Sequence, residues 1–181
     1  MRSSRRPFAA LAVACSLAGG LFAASAQAAV DLSAMLQAPA GQVEFLRANG
    51  QGVQIYQCKA SPDQPGAAAW VLTGPQATLT DVEGKLVAKH FAGPTWQSVA
   101  DGSTVVGQVV SQATPEPTAI AWLLLSAKSS QGQGLFAHTA SIQRSQTEGG
   151  VAPANGCDQA HLGQSVQVPY KALYTFYRAA G

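Results

Sequence analysis

Charge is what this chain has least of. Only 11 % of its 181 residues are Asp, Glu, Lys or Arg, eleven basic against nine acidic. Beyond the first six residues there is no basic run, so the electrostatic footprint of a nucleic-acid binder is missing, as is a polybasic membrane anchor. Histidine is scarce and scattered. His90, His138 and His161 stand more than twenty residues apart, whereas a zinc site draws three or four ligands together, commonly from a close pair. No metal site and no cofactor is expected.

The G-x-S-x-G elbow, the P-loop and H-E-x-x-H are also absent, which removes α/β-hydrolase, nucleotide and zincin chemistry. Gly50-Gln51-Gly52 and Gly132-Gln133-Gly134 look like the start of a dinucleotide turn. Each lacks the third glycine and leads into a strand pattern, so neither offers the helix N-terminus that holds a pyrophosphate.

What is present begins with an export signal. Arg2, Arg5 and Arg6 precede an apolar stretch from Phe8 to Phe22 and the A-x-A site Ala26-Gln27-Ala28. That order reads as a secretory signal peptide over residues 1–28, too short and too rich in small residues for a transmembrane span. A rival reading makes Cys15 a lipid-modified cysteine, but the apolar segment before it is only about one or two helical turns. The signal removes three of the basic residues, leaving eight against nine acids in residues 29–181. That length suits one domain. Cys58 and Cys157 remain, in a compartment where disulfides persist. A bridge between them is expected, with two separate buried thiols as the alternative.

From Asp31 to Gln37 the apolar residues follow helical spacing, and one short N-terminal helix is the most the sequence supports. The pattern then turns to β. Val43 to Arg47 and Val53 to Cys58 flank Asn49-Gly50, a hairpin signal. Trp70 to Thr73 and Leu86 to Phe91 surround the turn Asp81-Val82-Glu83-Gly84. Strands are also expected over Ser103 to Ser111, Ile120 to Ala127, Leu135 to Arg144 and Val166 to Arg178, the Ile120 run being apolar enough for burial on both faces. In the last, Tyr170, Ala172, Tyr174 and Phe176 share a face by period two, while Pro169 suggests a bulge or an edge. About eight strands with little helix imply an all-β antiparallel sandwich or barrel.

The candidate site lies in His90-Phe91-Ala92-Gly93-Pro94-Thr95-Trp96 and the following Asp101-Gly102. His90 is the candidate general base, Asp101 the carboxylate that would orient it, and Trp96 a ring that would stack a ligand. Thr95, Ser98 and Ser103 are the nearest hydroxyls. The competing reading is structural: a strand end, a Gly-Pro turn and an Asp-Gly hairpin. His138 is expected half-buried in a strand and His161 on a loop surface. Asp81, Glu83 and Glu116 read as solvated turn residues, without the paired spacing of a glycosidase.

Several separated runs in order resemble a secreted family called domain of unknown function 3455. They are Gly52 to Cys58, His90 to Trp96 with Asp101-Gly102-Ser103, Trp122-Leu123-Leu124, Ile142-Gln143-Arg144 with Thr147 to Pro153, then Cys157 and Val168-Pro169-Tyr170. The resemblance implies an exported bacterial or fungal protein without an assigned activity. Some fungal relatives carry a malate dehydrogenase label, and the missing dinucleotide motif speaks against its transfer. The sequence departs from the family pattern at Ala121, where proline is expected, and at Gln97, where an acid is usual. The leading functional expectation is a secreted, periplasmic or extracellular, non-catalytic module that binds a small ligand, a glycan or an envelope protein. Its alternative is an unfamiliar hydrolase or isomerase centred on His90, Trp96 and Asp101.

Overall fold

The computed structural model describes residues 34–181, so the signal peptide and Cys15 lie outside the described residues. Of the short helix expected over Asp31–Gln37, residues 34 and 35 are helical and the start lies outside them as well. The strands follow in chain order: β1 (Gln42–Ala60), β2 (Ala68–Thr80), β3 (Leu86–Phe91), β4 (Thr95–Ser98), β5 (Thr104–Ala113), β6 (Trp122–Gln131), β7 (Ser141–Gly149) and β8 (Ser165–Ala179). Each pairs antiparallel with its neighbours in sequence, and β8 returns to β1 to close a barrel. The all-β antiparallel expectation holds, and of sandwich and barrel the chain forms the barrel. Closure leaves no unpaired edge strand.

Inward-facing residues alternate along each strand as the pleat requires. On β8 the inward set is the expected one: Tyr170, Ala172, Tyr174 and Phe176 are all buried. Pro169 lies opposite Val53 of β1, but the ladder with β7 ends at Gly149 beside Tyr170. On that side the proline behaves as an edge residue and withholds no ladder hydrogen bond. On β6 Leu125 faces the core while Leu124 is buried on the outside. There the neighbouring Gln143 donates Nε2–H to the Leu36 carbonyl at 2.8 Å, which holds the N-terminal segment against the barrel wall.

Two expected elements are different. Asn49-Gly50 is not a hairpin turn, because β1 runs through it unbroken and pairs Asn49 with Thr80 on one side and Leu173 on the other. Glycine serves there by having no side chain: a Cβ on Gly50 would lie 2.5 Å from Tyr174 Cε2, and one on Gly52 2.2 Å from the Gln76 carbonyl oxygen. The expected strand from Leu135 to Arg144 begins only at Ser141. Leu135 to Ala140 form a loop that turns Phe136 into the barrel end, fully buried against Phe176 at 5.0 Å between centroids. His138 accordingly sits exposed in a loop and not in a strand.

The barrel thus has unlike ends. The end carrying the β2–β3 and β4–β5 turns and the β6–β7 loop is plugged by Phe136 and Phe176, with Phe45 packed 6.3 Å from Phe176. At the opposite end the Cys58–Cys157 disulfide ties β1 to the β7–β8 loop across 99 residues, a closure worth roughly 4 to 5 kcal/mol in the chain-entropy model. Trp70 Nε1–H donates to the Asn155 carbonyl at 3.0 Å and fixes the same loop.

The two readings of Asn49-Gly50 differ in a measurable way. Gly52→Ala forces a methyl into backbone atoms that cannot yield and is expected to cost at least about 3 kcal/mol in urea denaturation. Asn49→Ala, on an exposed strand position, is expected to stay within about 0.5 kcal/mol. A large loss for Asn49→Ala would restore the turn.

Candidate functional site

The barrel end away from Phe136 carries a half-open cavity. A cavity of about 350 Å³ opens between the β3–β4 turn and the start of β6, its floor formed by His90, Trp96, Leu125 and Tyr174. Leu72, Val109 and Leu123 give apolar wall, and Gln54, Gln112 and Arg144 the polar part. Register shifts at Ile55/Tyr56 on β1 and at Val109/Ser111 on β5 lie at this end. The second sets Gln112 opposite Leu123, so that both belong to the cavity rim. Bulges of this kind re-aim side chains where a sheet meets a ligand or a rim. A larger depression of about 560 Å³ lies on the outer wall around Asn49, Gln51 and Lys171, where Lys171 pairs with Glu148 in solvent.

His90 and Trp96 face each other across the β3–β4 ladder. Their rings stack 4.3 Å apart at 7°, and Tyr174 meets both edge-on at 5.4 and 5.7 Å. His90 is 3 % exposed. Its Nδ1 lies 2.9 Å from the Thr95 carbonyl, an acceptor only, so Nδ1 carries the proton and Nε2 keeps its lone pair. Burial lowers its pKa to about 4 against the partial support of the Thr95 hydrogen bond, and the positive charge of Arg144 acts in the same direction as burial. The ring is therefore neutral at physiological pH.

Asp101 is not with them. β4 is four residues long and carries Trp96 to the cavity end and Asp101 to the plugged one. There its carboxylate accepts from the Ser103 amide at 2.8 Å and the Leu135 amide at 3.0 Å, clamping two loops together. The Ser103 hydroxyl, followed by the Leu135 and Ser103 amides, holds its pKa down at about 2. The hydroxyls near His90 in sequence are engaged elsewhere: Ser98 Oγ accepts from the Ala100 amide, Ser103 Oγ from the Phe136 amide, and Thr95 Oγ1 donates to the Ala92 carbonyl. None of the three lines the cavity.

The structure adds two residues that the sequence reading passed over. Arg144 projects inward from β7, with Nε and Nη2 both donating to the Ala121 carbonyl at 3.0 and 2.8 Å. No Asp or Glu lines the cavity, and among the described residues Arg144 has no carboxylate partner. Gln54 projects from β1 and is 2 % exposed. Its Nε2 and the Trp96 Nε1 are buried donors without a hydrogen-bond partner. An orphaned donor of this kind costs on the order of 1 to 3 kcal/mol. The signal for Arg144 was its place two residues after Ile142, the period that puts both on one face of a strand.

Positions 97 and 121 also find their places. Gln97 faces outward beside Lys89, away from the cavity. Ala121 supplies the carbonyl that holds Arg144, a group a proline there would equally present. His161 lies in the mouth-side loop, its Nδ1 2.6 Å from Asp158 Oδ1 on the surface. Gly50-Gln51-Gly52 sits in mid-strand and Gly132-Gln133-Gly134 between β6 and β7, so neither precedes a helix. Among the described residues no three His, Cys, Asp or Glu gather at one point.

Fold and site together define a class: a closed eight-stranded antiparallel barrel, plugged by aromatic rings at one end and indented at the other by a cavity whose lining holds Arg144. A family model described as "Protein of unknown function (DUF3455)" matches residues 39–178, and the chain belongs to that family. No curated protein and no solved structure matches it. The runs of sequence that carry the family resemblance converge on the cavity, which takes Gln54, the His90–Trp96 segment, Leu123 and Arg144 from four of them.

His90 makes folding sensitive to mild acid. The folded ring has a pKa of about 4 against 6.5 for the free side chain. Between these values the unfolded chain binds a proton that the folded protein refuses, so stability is complete above pH 6.5 and falls as the pH drops toward 4. The difference amounts to about 3 kcal/mol. The Asp101 contribution is lost at lower pH, between 3.8 and about 2, and is separable. In urea titrations His90→Phe, which preserves a stacked ring, is expected to flatten the limb between pH 6.5 and 4; an unchanged limb would place the titration elsewhere.

Proposed function

We propose that this protein is exported through its N-terminal signal, is cleaved after Ala28, and works as one barrel domain that binds a small molecule without transforming it. The observation that carries the reading is the cavity, apolar on most of its wall and holding a few convergent polar groups, the usual make-up of a small-molecule site. An eight-stranded barrel has an interior of the size that holds one small ligand when side chains do not fill it. The disulfide and the lack of any described helix long and apolar enough to cross a membrane are compatible with a periplasmic or extracellular place.

Two observations weigh against the enzyme centred on His90. A base with a pKa near 4 is poorly matched to proton transfer at neutral pH, and the carboxylate that would orient it is bound to loop amides at the other end of β4. Of the partner classes, a small ligand fits better than a glycan. A glycan site offers many polar groups along a groove, whereas this cavity is lined mostly by aliphatic and aromatic residues.

In a thermal-shift panel of compact aromatic and aliphatic molecules alongside soluble glycans, members of the first group are expected to raise the midpoint and the glycans to leave it unchanged. Leu123→Trp, which fills the cavity from its wall, is expected to abolish the rise. A rise that survives this substitution, or none with any compound, would overturn the reading.

A further inference from the structure

The walls of the cavity narrow the chemistry of its occupant. Arg144 is the one ionic side chain there, and no acid faces it. A guanidinium has five N–H bonds. The Ala121 carbonyl takes Nε–H and one N–H of Nη2; the Tyr174 hydroxyl also lies within reach of the guanidinium, but among the described residues no carbonyl or carboxylate takes the hydrogens on Nη1 or the second on Nη2. That remaining edge is the fork that receives a carboxylate through two parallel hydrogen bonds.

Among the described residues three side-chain donors are buried without a partner: two belong to residues of the lining, Gln54 Nε2 and Trp96 Nε1, and the third, Trp122 Nε1, lies outside it. Neutral His90 adds no second positive charge, so the cavity compensates a single negative one. A phosphate monoester would bring two. The rest of the lining, Leu72, Val109, Leu123 and Leu125 with Trp96 and Tyr174 at its base, suits a hydrocarbon or aromatic body.

We propose that the ligand is a compact monocarboxylate with an apolar body, its carboxylate held on the free edge of the Arg144 guanidinium and its body against Leu123, Leu125 and Trp96. This rests on the binding function proposed above and adds the class of ligand. The Ala121 carbonyl is the positioning group: by holding one edge of the guanidinium it presents the other to the ligand.

The test is calorimetric titration of the protein, purified from an exporting bacterial host, with three probes that share a phenyl group: hydrocinnamate, hydrocinnamyl alcohol and phenyl phosphate. At neutral pH hydrocinnamate is expected to bind at least about tenfold more tightly than the alcohol, a difference of about 1.4 kcal/mol, and more tightly than phenyl phosphate. Arg144→Met is expected to erase the preference for the acid while leaving the alcohol within about twofold, and Arg144→Lys, which keeps charge but loses the fork, to retain part of it. Should Arg144→Met fail to fold, the ratio of acid to alcohol in the unaltered protein decides. Equal binding of acid and alcohol would overturn the carboxylate while leaving the binding reading intact. Tighter binding of phenyl phosphate would replace the monocarboxylate by a phosphate. No heat from any of the three at millimolar concentration would overturn both readings.

Discussion

Tyr174 lies where Gly50 has no side chain, and the rest of the interior follows from that exchange of volume. An eight-stranded barrel has an interior just wide enough for its inward side chains, so a ring as large as tyrosine needs a vacancy opposite. β1 provides it: along the inward face Ala48, Gly50 and Gly52 succeed one another against Tyr174, Ala172 and Tyr170 of β8. With Tyr174 seated, its ring edge braces the stacked His90 and Trp96, and Trp96 in turn meets Phe176 edge-on at 5.8 Å. Aromatic side chains then fill the barrel from that level down to Phe136. Above it Tyr170, Tyr56 and Gln54 are still buried, and the cavity opens beside them between the β3–β4 turn and the start of β6.

That partition explains why the same pair of rings served two readings in the sequence. His90 and Trp96 are structural toward the plugged end, where they close the core, and form a floor toward the cavity end. The stack holds His90 neutral through burial, which suits a floor and not a general base. The polar side chains stand instead in the cavity walls. Arg144 enters from β7 and Gln54 from β1, each at an inward register position that in the lower half would carry a hydrophobic residue, as Ile142 and Ala48 do.

Much of the fold was legible because strand alternation is a local property. The inward set on β8 and the turn at Asp81–Gly84 are as expected, the latter closed by Asp81 Oδ1 accepting from the Glu83 and Lys85 amides. Glycine was not legible at Gly50, since freedom at positive φ and the absence of a Cβ leave the same letter in the sequence. Only the partner strand tells them apart. Phe136 was read as strand because an apolar residue in a loop looks like one in a ladder until the loop is seen to fold into the barrel. The site was half legible. His90 and Trp96 meet because they are a cross-strand pair around a tight turn, a short-range relation. Asp101 does not join them, although it is as near in sequence, because four extended residues separate the two ends of β4. Arg144 and Gln54 reach the cavity through closure of the sheet, a long-range relation that no local pattern records.

Closure also decides what the disulfide does. The β7–β8 loop is fastened to the end of β1 by the Cys58–Cys157 bond and by two backbone hydrogen bonds, from Cys58 N–H to the Gln164 carbonyl and from Gly163 N–H to the Cys58 carbonyl. None of the residues between β7 and β8 lines the cavity, whose walls come from strands and from the short connections at β3–β4 and β5–β6. The bridge therefore acts on the stability of the barrel as a whole, through the roughly hundred-residue loop it closes in the unfolded chain, and leaves the cavity lining to the sheet. Rigid strands hold a geometry more closely than loops do, and here Gln54, Trp96 and Arg144 all belong to strands whose neighbours on both sides are hydrogen-bonded. The cavity lining is thus built into the part of the molecule that closure makes least able to move.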